Sequence, residues 1–108
     1  MDRIEQVTQV LRTHTGRKSA ITAREIAQKL ALDDRQVRLL IRSLIADGKP
    51  IASAVQPPYG YFLVETGEEA RVYKAGLKSR LIEDALRLRD FRIGADNALK
   101  KVVQGKLI

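Results

Sequence analysis

Residues 21–54 read ITAREIAQKLALDDRQVRLLIRSLIADGKPIASA, and the reading of this stretch decides the fold. Thr22 stands three residues before Glu25. At that spacing a threonine side chain caps a helix N-terminus and the glutamate reaches back to the cap. Ile26, Ala27 and Leu30 then give a short helix one apolar face. The segment ALDD forms a tight turn, and Asp33 is placed to cap the next helix. That helix runs to about Asp47, where Gly48 supplies a stop and Pro50 lies just beyond. The stretch is two short helices joined by a tight turn.

The second helix carries the chemistry. On a wheel of roughly 100° per residue with Val37 at the origin, Val37, Leu40, Ile41, Leu44 and Ile45 form a core-facing stripe. Arg35, Arg38 and Arg42 gather at roughly 100–160° on the same wheel. They make one basic ridge. The acids Asp33, Asp34 and Asp47 sit only at the helix ends. A solubilising face would mix signs, with acids one turn before bases. Arginine forks bind phosphate oxygens bidentately, and guanine O6 and N7 likewise. Gln36 suits an adenine edge, and Leu39, apolar on a polar side, suits a thymine methyl. Plainer readings stand beside these. Arginine is a good helix former, and Leu39 equally suits packing under another part of the chain or a second subunit.

Upstream, Ile4, Val7, Val10 and Leu11 predict a helix over residues 3–13, with Gly16 of HTGRKS as its C-terminal cap. SAIT is a short extended piece. Downstream, IASAV and YFLV are separated by QPPYG, which predicts a β-hairpin with a turn longer than two residues. Thr66 and Glu69 repeat the capping-box spacing. A long helix follows from Gly67 to about Arg92, with Gly94 as its breaker and ADNALKKVVQG as one more short helix. The expected fold is mainly α with a small β-hairpin, an α+β chain. Its expected division is residues 1–66 and residues 67–108, the latter a long C-terminal helix and tail.

The order of elements over Ser19–Val64 resembles a winged helix-turn-helix domain. It is similar to the N-terminal domain of the biotin repressor and to small DNA-binding proteins of bacteriophages. The helix pair carries the resemblance, and DGKPIASA…YGYFL puts a wing where that family has one. The resemblance implies that the helix from Asp33 lies in the major groove of double-stranded DNA, with Arg35, Gln36, Arg38 and Arg42 facing it. It implies that Arg24, at the start of the bracing helix, touches phosphate. The wing would lie along the backbone or the neighbouring minor groove. This wing departs from many in holding no Lys or Arg. Tyr59 is either its DNA contact or a cap on the hairpin. Arg17 and Lys18, before the helix pair, are either further phosphate contacts or a solvated loop. The expected roles are a prokaryotic or phage transcriptional regulator or a replication accessory. The alternative is a protein-interaction module that binds no nucleic acid.

The long helix has two apolar stripes. One is Tyr73, Leu77, Leu81, Leu88 and Phe91. The other is Ile82, Leu86 and Ile93. So wide a surface needs cover. A homodimer through Leu77, Leu81, Ile82, Leu86 and Leu88 is the expected cover, which would set two recognition helices on a palindromic site. The other candidate is an intrachain hairpin with Leu99, Val102 and Val103. The final QGKLI faintly resembles the peptide by which replication proteins bind the bacterial sliding clamp, with Gln104, Leu107 and Ile108 at the matching positions.

Composition bounds the rest. The chain has 108 residues, a net charge of +7 and no cysteine. Such a charge draws a small protein to polyanions. The lack of cysteine excludes disulfides, thiolate catalysis and cysteine-ligated zinc. His14 is the single histidine, so no histidine-based triad or metal cluster is expected. It is expected at the surface near a helix C-terminus, favoured there by the helix dipole. There is no phosphate-binding glycine loop. No enzymatic activity, cofactor or metal is expected. With neither a signal-peptide pattern nor a membrane-length apolar run, a soluble cytoplasmic protein is expected.

Overall fold

The computed structural model describes residues 1–103. Gln104, Leu107 and Ile108, the positions of the clamp-peptide resemblance, lie outside the described residues. The architecture is mainly helical with one two-stranded antiparallel hairpin. In chain order it runs α1 (Arg3–Arg12), a 3-10 turn (Arg17–Ser19), α2 (Ala23–Leu30), α3 (Asp34–Ala46), β1 (Ile51–Ala54), β2 (Gly60–Leu63) and α4 (Gly67–Val103). Among the described residues no helix is long and apolar enough to cross a membrane.

The chain divides into two compact units, Met1–Tyr73 and the segment from Lys74 onward. The first two turns of α4 therefore belong with the N-terminal unit. The division at residue 66 follows the start of α4, and the division by tertiary contacts follows Tyr73. In the first unit the core is built from one face of each element. Val7 and Leu11 of α1, Ile26 and Ala27 of α2, Val37, Ile41 and Leu44 of α3, and Ile51 of β1 are all buried. Each large aliphatic side chain so buried contributes about 1.5–3 kcal/mol relative to exposure. Leu40 packs at the edge of this cluster. Ile45 does not join it and is 44% exposed. On the helical wheel it lies roughly 80° from Val37, nearer to Arg38 than to the stripe centre.

The two strands pair from Ile51 opposite Leu63 to Ala54 opposite Gly60. The SAIT segment completes this small sheet from the other side. Ile21 and Tyr61 exchange backbone bonds of 2.9 and 2.7 Å. Gly16 N–H donates to Leu63 O at 2.8 Å, and Leu63 N–H to His14 O at 3.0 Å. An edge that would otherwise expose unpaired backbone is thus covered. Gly60 makes the approach possible. Its φ is +123°, and a Cβ there would stand 2.2 Å from the Ile21 carbonyl oxygen. Gly16 is not the cap of α1, which ends on Thr13. It sits beyond the helix at φ +92° and bonds β2. His14 is half-buried, and its Nδ1 donates to the Ser19 carbonyl at 2.7 Å. That partner lies in the following loop and is not a carbonyl of the α1 terminus.

The long helix differs most from expectation. α4 is continuous from Gly67 to Val103, with Gly94 in its interior. Among the described residues there is no second short helix, and no reversal at Gly94 that would return Leu99 to Leu77–Phe91. A glycine inside a helix costs only about 1 kcal/mol relative to alanine. Helix formers on both sides outweigh that, as they do around Gly76. In the second unit the large apolar side chains are exposed, among them Leu81 at 70% and Phe91 at 73%.

Candidate nucleic-acid interface

Asp33 fixes where α3 begins. Its carboxylate accepts the Gln36 N–H at 2.7 Å, and the Gln36 side-chain oxygen accepts the Asp33 N–H at 3.2 Å. This reciprocal box was legible at the Asp33–Gln36 spacing, and the sequence reading credited only its Asp33 half. It constrains Gln36. The oxygen that a bidentate adenine contact would use is already bonded to the backbone. The amide nitrogen remains exposed with the rest of the residue. α2 is set in the same way by Thr22 and Glu25, where Glu25 N–H donates to Thr22 Oγ1 at 3.1 Å and Thr22 N–H to Glu25 Oε1 at 3.3 Å.

With Val37, Ile41 and Leu44 inward, the opposite face of α3 presents Arg35, Arg38, Leu39 and Arg42 to solvent. Leu39 is 54% exposed, so it is not packed under another part of the chain among the described residues. The exposed Ile45 borders the same ridge. Arg24 stands exposed in the first turn of α2, and Tyr59 stands exposed on the hairpin loop. The predicted residues thus fall on three elements. Four of them share one helix face.

The arginines of that face make no ion pair among the described residues, as holds for most of the lysines and arginines of the chain. Among the described residues the ion pairs are Arg71–Glu68, Arg87–Asp84 at 3.9 Å and Arg89–Asp90 at 3.1 Å, all on α4. Arg87 pairs with Asp84 three residues before it. Neither Arg24 nor any arginine of the α3 ridge has such a partner among the described residues. Their charge is therefore uncompensated at contact distance. Among the described residues, no three His, Asp or Glu side chains gather as metal ligands.

Arg17 takes a different place from either reading of the sequence. Its guanidinium donates to three successive carbonyls of the hairpin loop: Pro58 O at 2.9 Å, Pro57 O at 3.4 Å, and Gln56 O. Its backbone N–H donates to Glu69 Oε2 at 2.8 Å. Glu69 is the helix-start residue expected to close a box with Thr66. Only half of that box forms, with Glu69 N–H donating to Thr66 Oγ1 at 3.1 Å. The carboxylate turns instead to Arg17 N–H and to Glu65 N–H, the latter at 2.8 Å. The Arg17 N–H, then the Glu65 N–H, hold the Glu69 carboxyl below the ordinary glutamate range.

The chain matches no family model, no curated protein and no solved structure. Its reading rests on its own residues.

Proposed function

We propose that this chain binds double-stranded DNA as a winged helix-turn-helix protein, with α3 in the major groove. One observation carries the reading. Arg35, Arg38 and Arg42 stand in a row on the exposed face of a short capped helix, with no carboxylate at ion-pair distance among the described residues. Arginine forks in that state match phosphate oxygens and guanine edges, and the net charge of +7 draws the chain to polyanions. Leu39 lies beside the ridge as an apolar base contact. Arg24 and Tyr59 add backbone contacts from α2 and the hairpin loop. The two exposed apolar stripes of α4 pair with a second copy, one through Leu77, Leu81 and Leu88 and the other through Ile82 and Leu86, so that two ridges address one site. A prokaryotic or phage regulator or replication accessory fits this reading.

The test is fluorescence anisotropy on a labelled duplex at several salt concentrations. Replacing Arg38 and Arg42 together with alanine is expected to weaken binding and to lower the salt slope by about two, one for each lost phosphate contact. The fold should be preserved within about 0.5 kcal/mol, because both side chains are exposed. An unchanged slope would remove α3 from the DNA.

A second reading has its own observation. Leu39 and Tyr59 are exposed apolar and aromatic side chains, and the hairpin loop has no cation of its own. A protein-interaction module uses such surfaces without nucleic acid. The native chain would then show no duplex binding even at low salt.

A further inference from the structure

The hairpin loop Val55–Tyr59 holds neither Lys nor Arg, yet an arginine from the 3-10 turn, distant in sequence, is bound to it. Three consecutive carbonyls, those of Gln56, Pro57 and Pro58, converge on the Arg17 guanidinium. Pro57 and Pro58 have no backbone N–H, so this part of the loop cannot be held by a ladder of its own. A guanidinium offers five N–H donors in a rigid planar fork, which lets one side chain satisfy several carbonyls at once. The base of that arginine is fixed in turn. Its backbone N–H is held by the Glu69 carboxylate, which also takes Glu65 N–H. The strand after the loop is pinned by Gly60 against Ile21.

We propose that Arg17 is the positioning residue of the hairpin loop: it fixes the loop in the shape that presents Tyr59 to DNA, and it does not itself bind phosphate. The value of such a device is preorganisation. A loop already ordered does not lose its freedom when it binds. The use of the loop on DNA rests on the function proposed above. The positioning itself does not, and the two are tested by different readouts.

The chain has no cysteine, so a single Val55→Cys substitution takes a nitroxide label at one site on the exposed part of the loop. In this background the label should be immobile with Arg17 present and mobile in Arg17→Ala. Arg17→Lys should be intermediate, because an ammonium cannot span three carbonyls as a planar fork does. The thermal midpoint, read alongside, separates loop release from general unfolding. If Arg17→Ala fails to fold, Arg17→Lys and Glu69→Gln carry the same test. A label equally immobile in the variants that fold would overturn the proposal.

The DNA arm uses the chain with Val55 and Tyr59 intact. Arg17→Ala should lower duplex affinity about two- to tenfold, the range expected for ordering a side chain or two on binding, with the salt slope unchanged. A slope lower by about one would mean that Arg17 contacts phosphate directly, and that too overturns the proposal. No duplex binding by the native chain would defeat the DNA reading alone, and the label would still decide the role of Arg17.

Discussion

The two units of this chain use the same kind of residue to opposite ends. In Met1–Tyr73, leucine, isoleucine and valine recur at helical spacing and disappear into one core, with Val7, Ile26 and Val37 at 0% exposure. From Lys74 onward they recur at similar spacing and stay exposed, Leu88 at 62% and Phe91 at 73%. Periodicity marks the face of a helix that needs cover. What supplies the cover is decided by connectivity. The N-terminal unit has tight turns at Ala31–Asp33 and Val55–Tyr59 that return one apolar face onto another. The segment from Lys74 has no turn among its described residues, so nothing within it can fold back.

The largest expected effect tests the buried half of the comparison. Ile41 is 1% exposed at the centre of the core. Ile41→Ala removes three carbon atoms from close packing and leaves a cavity, at a cost of about 2–5 kcal/mol. Urea unfolding followed by circular dichroism should show the midpoint fall accordingly. A loss below about 1 kcal/mol would mean that α3 is not seated as described.

Next in size is Gly60→Ala. The substituted residue must hold φ near +123° and push the Ile21 carbonyl away from a 2.2 Å approach. Strain in such a region costs about 1–3 kcal/mol, and the opposing strand must shift as well. Amide exchange at Tyr61 and Ile21, which donate across this contact, should accelerate more than exchange within α1.

A smaller effect is set by pH. Glu69 is held below its ordinary value of 4.5 by the Arg17 and Glu65 N–H groups. Its carboxylate therefore favours the folded state. That contribution is complete above the ordinary value, and it is lost as the pH falls from there through the lowered folded value. Below about pH 4.5, thermal midpoints should fall less steeply in Glu69→Gln than in the native chain. Equal slopes would show that the Arg17–Glu69 tie does not form in solution. Glu68 is lowered too, by the Arg71 guanidinium, so the variant flattens the slope without abolishing it.

These residues show what was legible in the sequence. The helix starts at Thr22 and Asp33 were readable because a cap and its partner lie three residues apart and satisfy the backbone locally. The hairpin was readable from Pro-Pro and Gly between two short apolar runs. The face of α3 was readable from period alone, apart from Ile45 at the margin of the stripe. Arg17 was not, because its partners lie about forty residues away and are carbonyls, which every residue possesses. The Glu69 carboxylate was misassigned for the same reason. A local partner at Thr66 was visible, and the competing N–H of Arg17 arrives only through the fold. Gly94 was over-read. A breaker acts only where its neighbours do not favour continuation, and here they do.

The smallest expected effect tests the exposed half, and its value lies in being small. Lysine at both Leu81 and Leu88 keeps helix propensity close to that of leucine and removes two side chains that are 70% and 62% exposed. In dilute solution the unfolding free energy should change by no more than about 0.5 kcal/mol. A buried pair of leucines would cost many times that. The contrast with Ile41→Ala then measures directly how differently the two units use their apolar residues. Concentration is the second axis. If a second copy covers this face, the native chain gains stability as concentration rises, by about 2.7 kcal/mol at one hundred times the dissociation constant. The lysine variant stays flat. Sedimentation equilibrium on the same samples distinguishes a dimer, which the substitutions dissolve, from a monomer. A native chain that stays monomeric and equally stable at all concentrations would leave α4 without a self-partner. The paired recognition of a palindromic site would then fail while the arginine ridge of α3 remained to be judged on its own salt slope.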